Sequence, residues 1–103
     1  MDIVRTETGD LICTVVLDQV WADFSFSRLV QEQIQAGDRR IILDLAFIDL
    51  LHSPGMANLV ALHVHCQKRD LTFMLRHVNP ANQRLLHSTR LDQLLVMEPE
   101  TAD

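Results

Sequence analysis

The stretch that decides the fold is Arg39-Arg40-Ile41-Ile42-Leu43-Asp44-Leu45-Ala46-Phe47-Ile48-Asp49-Leu50-Leu51-His52-Ser53-Pro54-Gly55-Met56-Ala57-Asn58-Leu59-Val60-Ala61-Leu62. Ile41, Ile42, Leu43 and Leu45 form a short apolar run, rich in β-formers and preceded by charge. It is too short for a helix and reads as a buried strand. A bend follows and ends in a small polar knuckle, His52-Ser53-Pro54-Gly55, where a helix begins. Ser53 offers an N-cap hydroxyl, and Pro54 fits the first helical position, where its fixed φ is already helical and its missing N–H is not needed. Gly55 lets another backbone approach the first turn. Such a knuckle presents unpaired N–H groups and the positive end of the helix dipole, and function is expected there.

Outward from this stretch, the chain reads as more strands and helices. Asp2 to Glu7 predicts a first strand and Thr8-Gly9-Asp10 a turn. Leu11 to Leu17, rich in β-branched and apolar residues, predicts a second strand paired to the first as a hairpin. Phe26, Val30 and Ile34 repeat at four-residue spacing with Leu29 beside them, which predicts a helix from about Asp23 to Ala36. Asp23 would cap it and Gly37 would stop it. Trp21, in the connection before that helix, reads as a cover for the core edge, with an exposed contact surface as the alternative.

Beyond the knuckle, a helix is expected from Pro54 to about Arg69 and a fourth strand from Leu71 to Leu75. Asn79-Pro80 starts a short helix carrying Leu85 and Leu86. Leu91, Leu94, Leu95 and Val96 form a last apolar segment, helical or mixed. Residues 98–103 are an acidic tail with nothing to bury, expected to be disordered and to lie outside a domain formed by residues 1–97. Helices alternating with short buried strands imply an α/β domain with a mixed sheet.

Composition narrows the function. A chain of 103 residues makes one domain large enough for its own core. Net charge is −5 and the only basic pairs are Arg39-Arg40 and Lys68-Arg69, which argues against nucleic acid as a partner. Cys13 and Cys66 have no paired spacing and suit the reducing cytosol as buried thiols. No secretion signal or membrane-spanning run is seen, so a cytoplasmic chain without membrane insertion is expected.

The histidines invite a metal reading that their spacing does not support. His63 and His65 lie about 200° apart around a helix, and His63 with Cys66 supplies only two ligands. His52, His77 and His87 have no motif spacing. No metal and no cofactor are expected. No phosphate-cradling glycine loop is present. A nucleophile built from His52 and Ser53 would lack an orienting acid, so no enzyme is expected.

Taken in order, the buried strand Arg39 to Leu45, the bend Phe47-Ile48-Asp49, the knuckle, the helix opening Gly55-Met56-Ala57-Asn58-Leu59-Val60-Ala61-Leu62-His63, and the ending Leu86-x-x-x-x-Leu91-Asp92-x-Leu94 resemble the STAS domain. This is the module of bacterial anti-anti-sigma factors. The likeness runs from about Gly9 to Val96. It implies a single STAS-like domain: a mixed sheet of about four strands with helices packed on one side.

The family's knuckle usually reads Asp-Ser-Ser-Gly, and its second Ser is phosphorylated by a partner kinase. Here His52 stands for the Asp, Ser53 keeps the first Ser, Pro54 replaces the phosphorylated Ser, and Gly55 is kept. A Gly usual before the fourth strand is replaced by Lys68-Arg69-Asp70. The resemblance implies a non-enzymatic regulatory module that docks a GHKL-type anti-sigma factor or serine kinase without the classical phospho-switch. Ser53, read first as a cap, is the alternative acceptor. His52, Ser53, Pro54, Gly55, Met56 and Asn58 are the candidate docking residues, with Met56 and Asn58 open between docking surface and inward face. A second reading, also drawn from the family, is an accessory subunit of an ABC-type lipid transport system. Homodimer formation stays open. Asp44, in the buried strand, is expected to bond locally near the knuckle.

Overall fold

The computed structural model describes residues 2–15 and 25–98. The elements are β1 (Asp2–Arg5), β2 (Asp10–Thr14), α1 (Phe26–Gln33), β3 (Arg40–Asp44), α2 (Ser53–Lys68), β4 (Thr72–Arg76), α3 (Pro80–Ser88), a 3-10 turn (Leu91–Gln93) and β5 (Val96–Met97). The strands pair in chain order. β1 runs antiparallel to β2, and β2 through β5 are mutually parallel. Three successive right-handed crossovers advancing in one direction place α1, α2 and α3 on the same face of the sheet.

The side chains agree with that placement. Leu11, Cys13, Ile41, Leu43, Phe73 and Leu75 alternate along their strands and join Phe26, Val30, Leu59, Leu62, Cys66 and Leu86 in one buried cluster. Cys13 and Cys66 are free and buried, and burial pushes both thiols up to about 11. The mixed sheet matches the expectation of about four strands, with one more. The last apolar segment resolves into the 3-10 turn and the two-residue β5.

The first helix is shorter than its periodicity suggests. It is capped at Ser25 and leaves the helical path at Ile34, whose ψ is 130°. Asp23, Trp21 and the end of the predicted second strand fall outside the described residues, as does the tail from residue 99. Gly37 does not stop the helix. The Asp38 carboxylate accepts the Gln35 N–H at 2.8 Å, a donor that one more turn would direct at Gln31. Arg5 holds that carboxylate with two bonds of 2.9 and 3.0 Å and donates a third to the Gln33 carbonyl at 2.7 Å. β1 is thereby tied to the exit of α1.

This tie makes stability sensitive to acid. The Arg5 hydrogen bond holds the buried Asp38 carboxyl below the ordinary carboxylate range, and Arg40 does the same to Asp10 through bonds of 2.7 Å. A depressed folded pKa stabilises above the unfolded value of about 4 and is lost as pH falls through the lower folded value. The denaturation midpoint is therefore expected to stay level from neutral pH to about 5 and fall below about 4. Denaturant titrations at stepped pH check this, and Asp38→Asn flattens the acid limb.

At the other end of α2 the chain closes a Schellman motif. The Leu71 N–H bonds the Cys66 carbonyl at 2.8 Å and the Asp70 N–H bonds the Gln67 carbonyl at 3.3 Å. Asp70 takes the left-handed conformation this needs, with φ of +58°. A side chain with a Cβ bears the strain of that conformation here. Asp70→Gly is expected to raise stability by up to about 1 kcal/mol, read as a higher melting temperature.

Candidate functional site

The carboxyl ends of the parallel strands form the functional edge, as in open α/β sheets generally. Two loops meet there: residues 45–52 between β3 and α2, and residues 77–79 between β4 and α3. The first is anchored by inward apolar side chains. Leu45, Ile48 and Leu51 are all buried in the core cluster. Their three-residue spacing turns Phe47 and Leu50 outward, 62% and 47% exposed.

Two asparagines on the second loop and α3 clamp the first loop from behind. Asn82, fully buried, accepts the Leu51 N–H at 2.8 Å and donates to the Ile48 carbonyl at 3.1 Å. Asn79 caps α3 by accepting the Asn82 N–H at 2.8 Å, and its amide donates to the Ile48 and Asp49 carbonyls at 3.2 and 3.0 Å. The loop's inner backbone is thus bonded, and its outer side is left apolar. The sequence reading did not pick out Phe47, Leu50, Asn79 or Asn82 as site residues. The signal for the first pair is the Leu45, Ile48, Leu51 spacing, and for the second the Asn-Pro-Ala-Asn run.

Asp44 ends β3 beneath this loop and bonds locally, as expected. Its carboxylate accepts the Ala46 N–H at 3.0 Å and lies 3.1 Å from His77 Nδ1 and 3.5 Å from Arg76 Nε. His77 is held at φ of +56°, a strained conformation for a side chain with a Cβ.

The knuckle itself differs in detail from its sequence reading. His52, extended at φ −88° and ψ 174°, is the N-cap, and its carbonyl accepts the Met56 N–H at 3.0 Å. Ser53 is therefore not the cap. It is the first helical residue, exposed, and its hydroxyl makes no hydrogen bond among the described residues. Pro54 takes the second position and deletes one donor, so Ser53 and Gly55 carry the remaining N–H groups of the first turn.

Of the six candidate residues, His52 and Ser53 are exposed and Pro54 and Met56 half-buried, with Met56 packed against the core. Gly55 is buried. Asn58, 1% exposed, accepts the Ser27 N–H at 3.2 Å and so fastens the first turn of α1 to α2. It faces inward rather than toward a partner. The surface around the knuckle is therefore made by Phe47, Leu50, His52 and Ser53, with part of Pro54 and Met56.

Among the described residues no group of three His, Cys, Asp or Glu side chains is placed to hold a metal ion. No helix among them is long and apolar enough to cross a membrane. Two surface hollows of about 170 and 630 Å³ lie away from the knuckle, beside Phe73 and Val96 and beside Arg84 and His87.

The family model of the STAS domain matches residues 21–103. The chain belongs to the STAS domain family. In structure it is similar to a Thermotoga maritima protein that carries the name anti-sigma factor antagonist, with a TM-score of 0.77 at 15% identity, over 96% of this chain and 86% of that one. That likeness concerns the fold. No curated protein matches the sequence.

Proposed function

We propose that the protein is a non-enzymatic regulatory module that docks a protein partner through the knuckle and the loop before it. The observation that carries this reading is the pair Phe47 and Leu50, exposed on a loop whose backbone is pinned from behind by Asn79 and Asn82. Apolar side chains held outward on a rigid base lose little entropy on binding, which is what a contact hot spot needs. His52, Ser53 and the first N–H groups of α2 supply a polar rim beside them.

Membership of the STAS family supports a protein partner, and the reading takes it to be a GHKL-type anti-sigma factor or serine kinase in the bacterial cytoplasm. Position 54 has no hydroxyl to phosphorylate. The module then binds without the usual switch, unless Ser53 takes the phosphate. A phosphate there would add about −1.5 to −2 charges at the rim of the contact. The absent hydroxyl equally favours the second reading, an accessory subunit that holds an ABC-type lipid transporter in its working state. Mass spectrometry of the protein isolated from its own cells tests the switch. An unmodified Ser53 in every growth phase supports constitutive docking, and a phosphate that comes and goes with partner association overturns it.

A further inference from the structure

Among the described residues, three other than Gly hold a positive φ: Asp70 at +58°, His77 at +56° and Arg90 at +62°. Two of them follow a helix and help to end it. Asp70 closes α2, and the Arg90 N–H bonds the His87 carbonyl at 3.0 Å just past α3. His77 ends no helix. It follows β4 at the carboxyl edge of the sheet and opens the 77–79 loop. Gly would make the same turn without the strain that a Cβ brings. Strain of this kind, held at a functional edge, points to a use for the side chain.

The surroundings of the ring say what that use is. Nδ1 lies 3.1 Å from Asp44 Oδ2 and 3.2 Å from Oδ1. A carboxylate only accepts, so Nδ1 carries the proton, and in the neutral ring Nε2 is left as an acceptor. Nε2 sits across the ring from Asp44. The His77 side chain is 52% exposed, against 10% for Asp44. Nε2 makes no hydrogen bond among the described residues. The carboxylate does not depend on the ring, because it also accepts the Ala46 N–H at 3.0 Å and lies 3.5 Å from Arg76 Nε. The backbone that carries His77 is fixed as well. Val78 is buried, and Asn79 ties this loop to the Ile48 and Asp49 carbonyls. His77 thus stands beside the loop of Phe47 and Leu50 with one unused polar atom.

We infer that His77 is a contact residue of the docking edge, where its ring accepts a hydrogen bond from an N–H or O–H group of the protein partner. The inference rests on the docking reading above. Asp44 holds the ring in one tautomer and one orientation, so little freedom is lost when the partner arrives. The contact adds selectivity to the apolar anchors Phe47 and Leu50. A partner that presents only apolar surface opposite His77 buries Nε2 without a donor and binds less well. His77 is in this sense a specificity-determining residue.

Two measurements on the full chain carrying His77→Gly test this. Thermal unfolding is expected to show a melting temperature equal to or above that of wild type, because the turn relaxes and Asp44 keeps its other partners. Affinity capture from the protein's own cells, read by quantitative mass spectrometry, is expected to recover at least about tenfold less of the GHKL-type ATPase that wild type retains. His77→Ala, which keeps the Cβ, is expected to lose the ATPase equally and to melt below the Gly variant. A His77→Gly chain that retains the ATPase as wild type does overturns the inference. The docking reading still stands in that case if the Phe47→Asp, Leu50→Asp double variant loses the ATPase. A His77→Gly chain that melts several degrees below wild type also overturns the inference, since the ring then serves the fold. A double variant that keeps the ATPase, or a wild-type chain that captures none, overturns the docking reading and the inference with it.

Discussion

Asn82→Ala is expected to cost about 3 kcal/mol of folding free energy. The side chain is fully buried and serves two backbone groups of the loop before α2. Removing it leaves the Leu51 N–H without its acceptor and takes one of two donors from the Ile48 carbonyl. Each such loss in a buried site costs about 1–3 kcal/mol. A domain of this size holds only about 5–15 kcal/mol in all, and each kcal/mol moves the melting temperature by about 4–8 °C. A drop of about 15 °C is therefore expected in thermal unfolding. Asn82→Asp keeps an acceptor for Leu51 but loses the donor to Ile48, and it is expected to fall between wild type and Ala. A change under about 0.5 kcal/mol for Asn82→Ala would show that the loop is not held from α3.

Phe47→Asp and Leu50→Asp are expected to do the reverse: little to stability and much to binding. Both side chains point outward beside the knuckle. Losing an exposed phenyl or isobutyl group leaves the core intact, so the melting temperature stays within a few degrees. If these two anchor the partner, each substitution costs about 2–4 kcal/mol of binding, or thirtyfold to nearly a thousandfold in affinity. Calorimetric titration of the purified partner with each variant reads that loss directly. Val64→Asp, exposed on the flank of α2, is the control and is expected to bind as wild type. The joint pattern separates a docking loop from a loop that merely shapes the fold.

Much of the fold was legible in the sequence because it is written in local patterns. Ile41 to Leu45 announce β3 by an apolar run, and Pro54 and the Asn79-Pro80 pair announce two helix starts. Where the sequence reading slipped, a distant residue had decided the outcome. α1 ends early because Asp38, held by Arg5 from β1, claims the Gln35 N–H. Gly37 is a plausible stop only when that tie is unseen. β5 is two residues long and owes its existence to the edge that β4 offers, which no pattern around Val96 reveals.

The candidate site was legible in place but not in detail. The knuckle falls where the sequence put it. Its composition shifts because burial is a tertiary property. Asn58 has the polarity of a surface residue yet spends its carboxamide on Ser27, which lies 31 positions earlier. Phe47 and Leu50 have the polarity of core residues yet point out, since Leu45, Ile48 and Leu51 already fill the inward positions. Ser53 has the chemistry of a cap, and His52 takes the capping position because its own carbonyl accepts the first helical N–H.

The central claim is that this surface docks a regulatory kinase or anti-sigma factor. It is tested most directly by affinity capture of the tagged protein from its own cells, with the Phe47→Asp, Leu50→Asp double variant run beside it. Partners and Ser53 are then read together by mass spectrometry. The account predicts a GHKL-type ATPase recovered with the wild type, lost with the double variant, and bound while Ser53 carries no phosphate. Recovery of ABC-transporter subunits in its place, or of a kinase that the double variant still retains, would contradict it.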